Sequence, residues 1–333
     1  MKGSNRKKIL ALSCILVLII AVTSGCASGR LNREKVTIWS AAEDYRNEYY
    51  LAQCQKRFPD YDINLEYMNS STIAAKVTEE GDDCSCDIIL SEEYGYLDKC
   101  EPYLLELTEF DFSPFLDDIV PESRKYSPEM KNGGCIIVNP KILEEHQLPV
   151  PTSYEDLLNP EYEGLISMPS PLSSGTGYAF LRQLTNEWGE DEAFDYFEKL
   201  SENVLQYTSS GSGPINALIQ GEVAVGLGII YQAATEISQG MDIQIVFFPE
   251  GAPFSMYGNA VLSKSSNRSC VMEVFQYLST DLCKENNKNF CPDQIFKEFV
   301  PEMGGYPQNI PYGDMSNDTL AEKERLQAKW SFN

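Results

Sequence analysis

Short apolar runs alternate with longer stretches whose apolar residues recur at helical spacing, a pattern that predicts strands separated by helices. In the first part of the chain the predicted strands are 36–40, 63–67, 87–91 and 134–138, and the predicted helices are 43–58, 94–99 and one that follows 69–71 and runs through 77. Such alternation is typical of a doubly wound α/β domain, where ligands bind at the carboxyl ends of the strands.

A second alternation follows a proline-rich stretch at 139–162. It predicts strands at 165–168, 204–207, 223–228, 243–247 and 259–262, and helices at 178–188, 191–200, 212–220 and 231–239. We therefore expect two α/β lobes, with the chain crossing between them near 138–140 and again near 256–260. A further helix is expected over 271–282, and the sequence beyond it is charged and poorly patterned.

The segment Ser173-Ser-Gly-Thr-Gly177 lies between a predicted strand and a predicted helix. Hydroxyls and free backbone N–H groups at a helix start form an anion site without a basic side chain, and glycines let a ligand approach the backbone closely. The same residues are equally typical of a simple helix cap. The pattern alone leaves both interpretations open.

The N-terminus resembles an export signal. Basic residues at 2, 6, 7 and 8 precede an apolar run over 9–22, and Thr23-Ser-Gly-Cys26 closes the run with small residues. We expect a signal peptide over 1–25 and lipidation of Cys26, followed by a lipidated tether over 26–35. Thr23 departs from the aliphatic residue usual at that position, so an ordinary cleaved signal is the alternative. Lipidation would place the protein on the outer side of the cell membrane.

Charge and side-chain inventory exclude several classes of function. With 50 acidic against 26 basic residues and a net charge of −24, the surface repels nucleic acid. The sole histidine, His146, lies in a predicted loop, and neither a nucleophile motif nor a phosphate-binding loop ending in Gly-Lys is present. We therefore expect no catalysis, cofactor or metal. Cysteines 54, 84, 86, 100, 135, 270, 283 and 291 permit disulfides, thiols or, less readily, a metal cluster.

An ordered series of motifs resembles the extracellular solute-binding proteins of ABC importers, in the branch with ferric-ion, 2-aminoethylphosphonate and sugar-phosphate receptors. The series consists of 156–164, 166–169, 173–177, 189–193, 203–212 and 221–226. The resemblance covers roughly 36–310. It implies an α/β, two-lobed periplasmic-binding-protein-like fold of type II, each lobe a mixed sheet flanked by helices. Lobe 1 would hold 36–138 and 260–333, and lobe 2 would hold 139–259.

The resemblance also implies a small ligand captured between the lobes by a monomer and delivered to an ABC permease and its ATPase. The predicted ligand-binding residues are Ser40, Glu43, Ser70, Ser71, Ser91, Ser173, Ser174, Gly175, Thr176, Ser210, Ser212, Tyr231 and Tyr257. Glu43, or the nearby Glu92, would suit an amino group, and Arg46 and Arg182 are possible counter-charges.

Two alternatives concern the ligand and the class of protein. Ferric-binding members carry two adjacent tyrosines, because phenolates are hard ligands for Fe(III). Here Tyr231 fits the first and Gln232 replaces the second, which favours a phosphonate, sugar phosphate or other organophosphate over iron. From another class, a secreted enzyme acting on phosphate esters would use the same Ser/Thr cradle.

Overall fold

A computed structural model describes residues 33–299 and 305–332. The predicted signal peptide, Cys26 and most of the tether lie outside the described residues. These residues contain nine strands: β1 Glu34–Ser40, β2 Tyr61–Tyr67, β3 Ile88–Glu93, β4 Tyr126–Val138, β5 Ile166–Pro169, β6 Val204–Thr208, β7 Val225–Ile229, β8 Gln244–Val246 and β9 Phe254–Val261. Their hydrogen-bonded order is β2-β1-β3-β9-β4-β7-β5-β6, with β8 beside β4.

Eleven α-helices flank the strands within the described ranges. They are α1 Asp44–Arg57, α2 Ser70–Glu80, α3 Tyr94–Cys100, α4 Pro140–Glu145, α5 Gly175–Trp188, α6 Glu190–Ser201, α7 Gly213–Gln220, α8 Ile230–Ser238, α9 Ser269–Ser279, α10 Asp281–Asn289 and α11 Leu320–Lys329. In that part of the chain no helix is long and apolar enough to cross a membrane.

The mixed pairing divides the molecule into two halves. In the first half β1 pairs in parallel with β2 and β3, and in the second β5 pairs in parallel with β6 and β7. Successive strand residues face opposite sides of the sheet. Ile38 and Leu90 therefore pack into one apolar cluster, while Trp39 and Ile89 pack into another on the opposite face. The second half repeats this arrangement around β4, β5 and β7.

β4 and β9 join the two halves. Residues 126–133 of β4 pair with β9, whereas 134–138 pair with β7 and partly with β8. The C-terminal part of β9 in turn pairs with β3. The strand predicted at 134–138 is thus only the second part of a longer strand. The lobe boundary predicted at 138 stays a prediction. Between residues 133 and 134, β4 changes its pairing partner from β9 to β7.

Two features of the C-terminal region differ from the sequence expectations. The helix expected over 271–282 is two helices, α9 and α10, interrupted at Thr280. The poorly patterned segment contains α11, which buries Lys323 and Leu326. Charged residues occupy most of α11, so its apolar periodicity is weak, and its helical structure depends on contacts with α3 and α5.

The eight cysteines within the described residues are all buried free thiols. Disulfides, which the sequence left open, are absent from this part of the structure.

Candidate functional site

A polar cavity lies where the two halves meet, and the volume open to water inside it is about 30 Å³. Its lining comes from both halves and consists of Ala41, Glu43, Tyr67, Asn69, Ser70, Met130, Asn132, Ser173, Ser174, Gly175, Thr176, Ser209, Ser210, Gly211, Ser212, Ile229 and Tyr257. Most of these residues follow the carboxyl ends of β1, β2, β5 and β6, the position at which open α/β sheets bind ligands.

Four helices begin at the cavity. Glu43 precedes α1, Asn69 caps α2, Ser174 caps α5 and Ser212 precedes α7. The first N–H groups of a helix have no partner within the helix, and its N-terminus carries a partial positive charge. Four N-termini directed at one space therefore create a region that favours negative charge.

The Ser173–Gly177 segment both caps α5 and lines the cavity. The Ser174 hydroxyl accepts a hydrogen bond from the Gly177 N–H at 3.4 Å. A Cβ on Gly177 would lie 2.4 Å from the Pro169 carbonyl oxygen, and one on Gly175 would lie 2.6 Å from the Tyr257 hydroxyl. Any larger residue at either glycine would push α5 away from its neighbours. The two interpretations of this segment are thus compatible.

A second group of hydroxyls meets the first. The Ser210 and Ser212 hydroxyls lie 2.8 Å apart, and a Cβ on Gly211 would lie only 2.4 Å from Thr176 Oγ1. Thr176 Oγ1 also accepts a hydrogen bond from the Asn132 amide at 3.2 Å. The loop before α7 and the first turn of α5 are therefore packed tightly together in one wall.

Nine of the predicted ligand-binding residues line the cavity: Glu43, Ser70, Ser173, Ser174, Gly175, Thr176, Ser210, Ser212 and Tyr257. The other four bond to protein groups behind it. Ser40 Oγ accepts a hydrogen bond from the Ala42 N–H. Ser71 Oγ donates one to the side-chain oxygen Oδ1 of Asn69. Ser91 and Tyr231 contact Arg46. Ser91 has a positive φ of 57° at a bulge in β3, which a strand pattern does not predict.

Eight lining residues were not among those predicted: Ala41, Tyr67, Asn69, Met130, Asn132, Ser209, Gly211 and Ile229. Asn69 and Ser209 lie in segments that the sequence places at helix starts, so the same capping signal identifies them. Met130 and Asn132 lie in the part of β4 that the sequence did not predict. Asn132 is buried and its side-chain oxygen has no hydrogen-bond partner.

Glu43 is the sole charged side chain among the described residues that line the cavity. Its carboxylate lies 3.1 Å from Arg46 Nη1. The proposed counter-charges point elsewhere: Arg46 is buried behind the wall, and Arg182 pairs with Glu322 and the Ser316 carbonyl. The cavity thus offers hydroxyls, amides and helix N-termini, and its lining within 33–299 and 305–332 contains no lysine or arginine.

Arg46 is the centre of a buried polar network beside the cavity. Nη2 donates to Glu129 Oε1 at 2.7 Å, to Ser91 Oγ at 2.9 Å and to the Tyr50 hydroxyl at 2.8 Å. Nε donates to Asn286 Oδ1 at 3.1 Å. Glu129 lies at a bulge in β4 and also accepts from Ser91 Oγ at 2.5 Å. The guanidinium is fully buried and is surrounded by acceptors.

The tyrosine relevant to iron belongs to this network. Arg46 Nη1 donates to the Tyr231 hydroxyl at 3.3 Å, and the guanidinium also lies 5.6 Å from the centre of its ring. Burial is the largest cause that raises the pKa of Tyr231, so the phenol stays protonated at neutral pH. Across the described residues, no group of three or more His, Cys, Asp and Glu side chains is arranged to hold a metal ion.

A family model described as bacterial extracellular solute-binding protein matches residues 95–288. An uncharacterized protein of Haemophilus influenzae is 35% identical over 118 residues, which cover 35% of this chain and 34% of that protein. A putative 2-aminoethylphosphonate-binding periplasmic protein of Salmonella typhi is 23% identical over 221 residues, which cover 64% of this chain and 63% of that protein. The first match thus spans about a third of the curated relative, and the second spans somewhat under two thirds.

Solved structures confirm the predicted two-lobed α/β fold. The periplasmic binding protein AfuA of Actinobacillus pleuropneumoniae with bound fructose-6-phosphate has a TM-score of 0.81 at 22% identity, covering 90% of this chain and 98% of that one. The periplasmic binding protein P5PA has a TM-score of 0.80 at 21% identity, with 89% and 98% covered. Iron-bound HitA of Pseudomonas aeruginosa has a TM-score of 0.69 at 17% identity, again with 89% and 98% covered.

Proposed function

The chain belongs to the family of bacterial extracellular solute-binding proteins, and from that premise we propose that it captures a small solute with a phosphonate or phosphate group in the cavity between its halves. One observation carries the proposal: four helix N-termini and several hydroxyls line a cavity in which no described lining residue is basic. Each hydrogen bond to a charged group contributes about 1.5–3 kcal/mol. Several together offset the repulsion that an acidic protein exerts on an anion.

Glu43 and Asn132 give the cavity hydrogen-bond acceptors as well as donors. A carboxylate and a free amide oxygen accept hydrogen bonds, so they suit an ammonium or hydroxyl group on the same solute. The two solutes named for a relative and a fold neighbour have such groups beside the anion: 2-aminoethylphosphonate has an amino group and fructose-6-phosphate has hydroxyls. The Tyr231 hydroxyl accepts a hydrogen bond from Arg46 and is therefore engaged within the protein, which favours this solute over Fe(III).

Solute capture requires the halves to move relative to each other, and we place the hinge in β4 and β9, the strands that run through both. The protein then serves as the receptor of an ABC importer, acting as a monomer that delivers the solute to a permease and its ATPase without chemical change. Lipidation of Cys26 would hold it on the outer side of the cell membrane.

Calorimetric titration and thermal unfolding with four probes test the ligand class: 2-aminoethylphosphonate, fructose 6-phosphate, inorganic phosphate and Fe(III). We expect saturable binding of at least one organophosphorus probe. At a hundredfold excess over Kd the ligand stabilises the fold by about 2.7 kcal/mol. A response to Fe(III) alone, or to none of the four, would overturn the proposal.

A pair of cap variants separates binding from folding. Ser174 caps α5 at the cavity, and Thr319 caps α11 on the exposed surface with a comparable 3.3 Å bond to the Glu322 N–H. Replacing either by alanine costs about 0.5–2 kcal/mol of stability. We expect Ser174→Ala also to weaken the binding of the responding probe by roughly tenfold or more, since a bond to a charged group is lost. Equal affinities of the two variants would show that Ser174 is only a cap.

A further inference from the structure

Glu92 lies directly behind the cavity wall at the end of β3. Its side chain is fully buried. One carboxyl oxygen, Oε1, accepts a hydrogen bond from the Glu93 N–H at 3.0 Å, and the other, Oε2, has no hydrogen-bond partner. A buried carboxylate with an unpaired oxygen is costly, because its charge has lost water without gaining a donor. The binding mechanism described above does not use this group.

The nearest cation is already paired. Lys323 of α11 donates to Glu93 Oε2, and both of these side chains are buried. The ionisable groups that face Glu92 are Glu93 on its own strand, Tyr96 and Cys100 on α3, Tyr257 on β9 and Lys323 on α11. Tyrosine and cysteine are neutral near pH 7. Glu92 therefore has no counter-charge of its own.

One cavity residue, Ser70, connects Glu92 to the space where the solute would lie. The Ser70 hydroxyl faces the Glu92 carboxyl from α2 and also lines the cavity. Tyr257 pairs with Glu93 in the sheet and lines the cavity on the other side of the strand. Burial raises the pKa of Glu92 to about 8, with Ser70 opposing that rise. An anion in the cavity would raise it further, since two negative charges would then lie on either side of one hydroxyl.

We propose that Glu92 carries a proton when the cavity holds an anion and acts through Ser70 as a positioning residue, so that solute capture is linked to proton uptake. The inference rests on the proposed function. A proton on Oε2 donates to Ser70 Oγ, which leaves the Ser70 hydrogen free for the anion. An ionised Glu92 instead accepts that hydrogen and turns the oxygen of Ser70 toward the solute. Affinity is therefore highest at low pH and falls as the pH rises through the Glu92 pKa.

Glu92→Gln tests the proposal, because an amide mimics the neutral acid and cannot ionise. Glu109→Gln, an exposed carboxylate outside the cavity lining, is the matched control. Affinities for 2-aminoethylphosphonate and fructose 6-phosphate are measured by calorimetry from pH 6 to 9.5, in buffers of different ionisation enthalpy. Between pH 7 and 9 we expect wild type and Glu109→Gln to lose about tenfold more affinity than Glu92→Gln. We also expect these two proteins, but not Glu92→Gln, to take up a proton when the probe binds. Titration of the probes themselves cancels in this comparison.

Ligand-free stability gives an independent measurement. The folded protein holds the Glu92 proton to a higher pH than the unfolded chain does, so its contribution to stability is complete below the unfolded pKa and is lost as the pH rises toward 8. Glu92→Gln should therefore raise the Tm relative to Glu109→Gln at pH 8 and leave it unchanged at pH 4.

The outcomes separate the two proposals. Absence of binding by either probe at every pH overturns the proposed function. Binding with the same pH profile in wild type and Glu92→Gln overturns only the role of Glu92. If Glu92→Gln does not fold, Ser70→Ala takes its place: it should bind more weakly with a flatter pH profile, and a profile as steep as that of wild type would contradict the proposal.

Discussion

The cavity and the Arg46 network are neighbouring polar regions with opposite designs. The cavity presents hydroxyls, amides and helix N-termini, and its described lining residues include no cation. The Arg46 network contains a full positive charge, yet every contact of the guanidinium is taken by a protein acceptor. Glu43 belongs to both, since its carboxylate accepts from Arg46 and its side chain lines the cavity.

The difference shows how an acidic protein can attract an anion without a free cation. Here the Arg46 guanidinium holds α1, β3, β4, α8 and α10 together, and the partial charges of the helix ends are left for recognition. Fixed dipoles need no counter-ion when the cavity is empty.

The largest effect should follow from breaking the Arg46 network. Glu129→Ala leaves a buried guanidinium without its main carboxylate, which costs about 3–5 kcal/mol. Urea unfolding of the ligand-free protein measures the loss. Lys199→Ala, which breaks an exposed pair with Asp195, should cost under about 1 kcal/mol. Equal losses in the two variants would show that Arg46 is not the structural centre described here.

A smaller effect should follow from disturbing the cavity wall alone. In Gly211→Ala the new Cβ would collide with Thr176 Oγ1, so the loop before α7 must shift at a cost of about 1–3 kcal/mol. We expect affinity for the responding organophosphorus probe to fall about tenfold, the equivalent of one lost hydrogen bond. The control is Gly240→Ala, where φ is 96° and no atom lies within 4 Å. Gly240→Ala strains the backbone but should leave affinity unchanged. A similar loss of affinity in Gly240→Ala would show that the effect of Gly211→Ala does not come from the cavity wall.

The smallest effect concerns salt. Because the net charge is −24 and no basic side chain is found in the described lining, the long-range field opposes an approaching anion. Raising the ionic strength screens that field, so the association rate should rise by roughly twofold to threefold. Stopped-flow measurements from low to physiological salt would detect it. A rate that falls with salt would indicate a basic entry path instead.

The sequence predicted the alternating architecture because apolar runs and helical periodicity are local signals. It also predicted the α5 cap and the serines before α7, since capping chemistry is local as well. It did not predict the first part of β4, where Pro128, Glu129 and Asn132 interrupt the apolar pattern. That part of the strand is polar because it runs beside the cavity and the Arg46 network.

Side-chain direction is the second limit. Ser40 ends β1 and Ser91 ends the strand predicted at 87–91, yet neither lines the cavity. The bulge in β3 and the positive φ of Ser91 turn its hydroxyl toward Glu129. Such local irregularities arise from tertiary contacts, so no periodicity in the sequence reveals them.

The pairing of Lys323 with Glu93 also has a consequence for the order of folding. These residues are separated by 230 positions. Glu93 adjoins α5 through Gly175, so one side of the cavity is complete only after the polypeptide has been released as far as α11. Contacts of such long range form late and slow the search for the native state. In a chain that crosses a membrane before it folds, this contact between α11 and β3 forms only after nearly all of the chain has emerged.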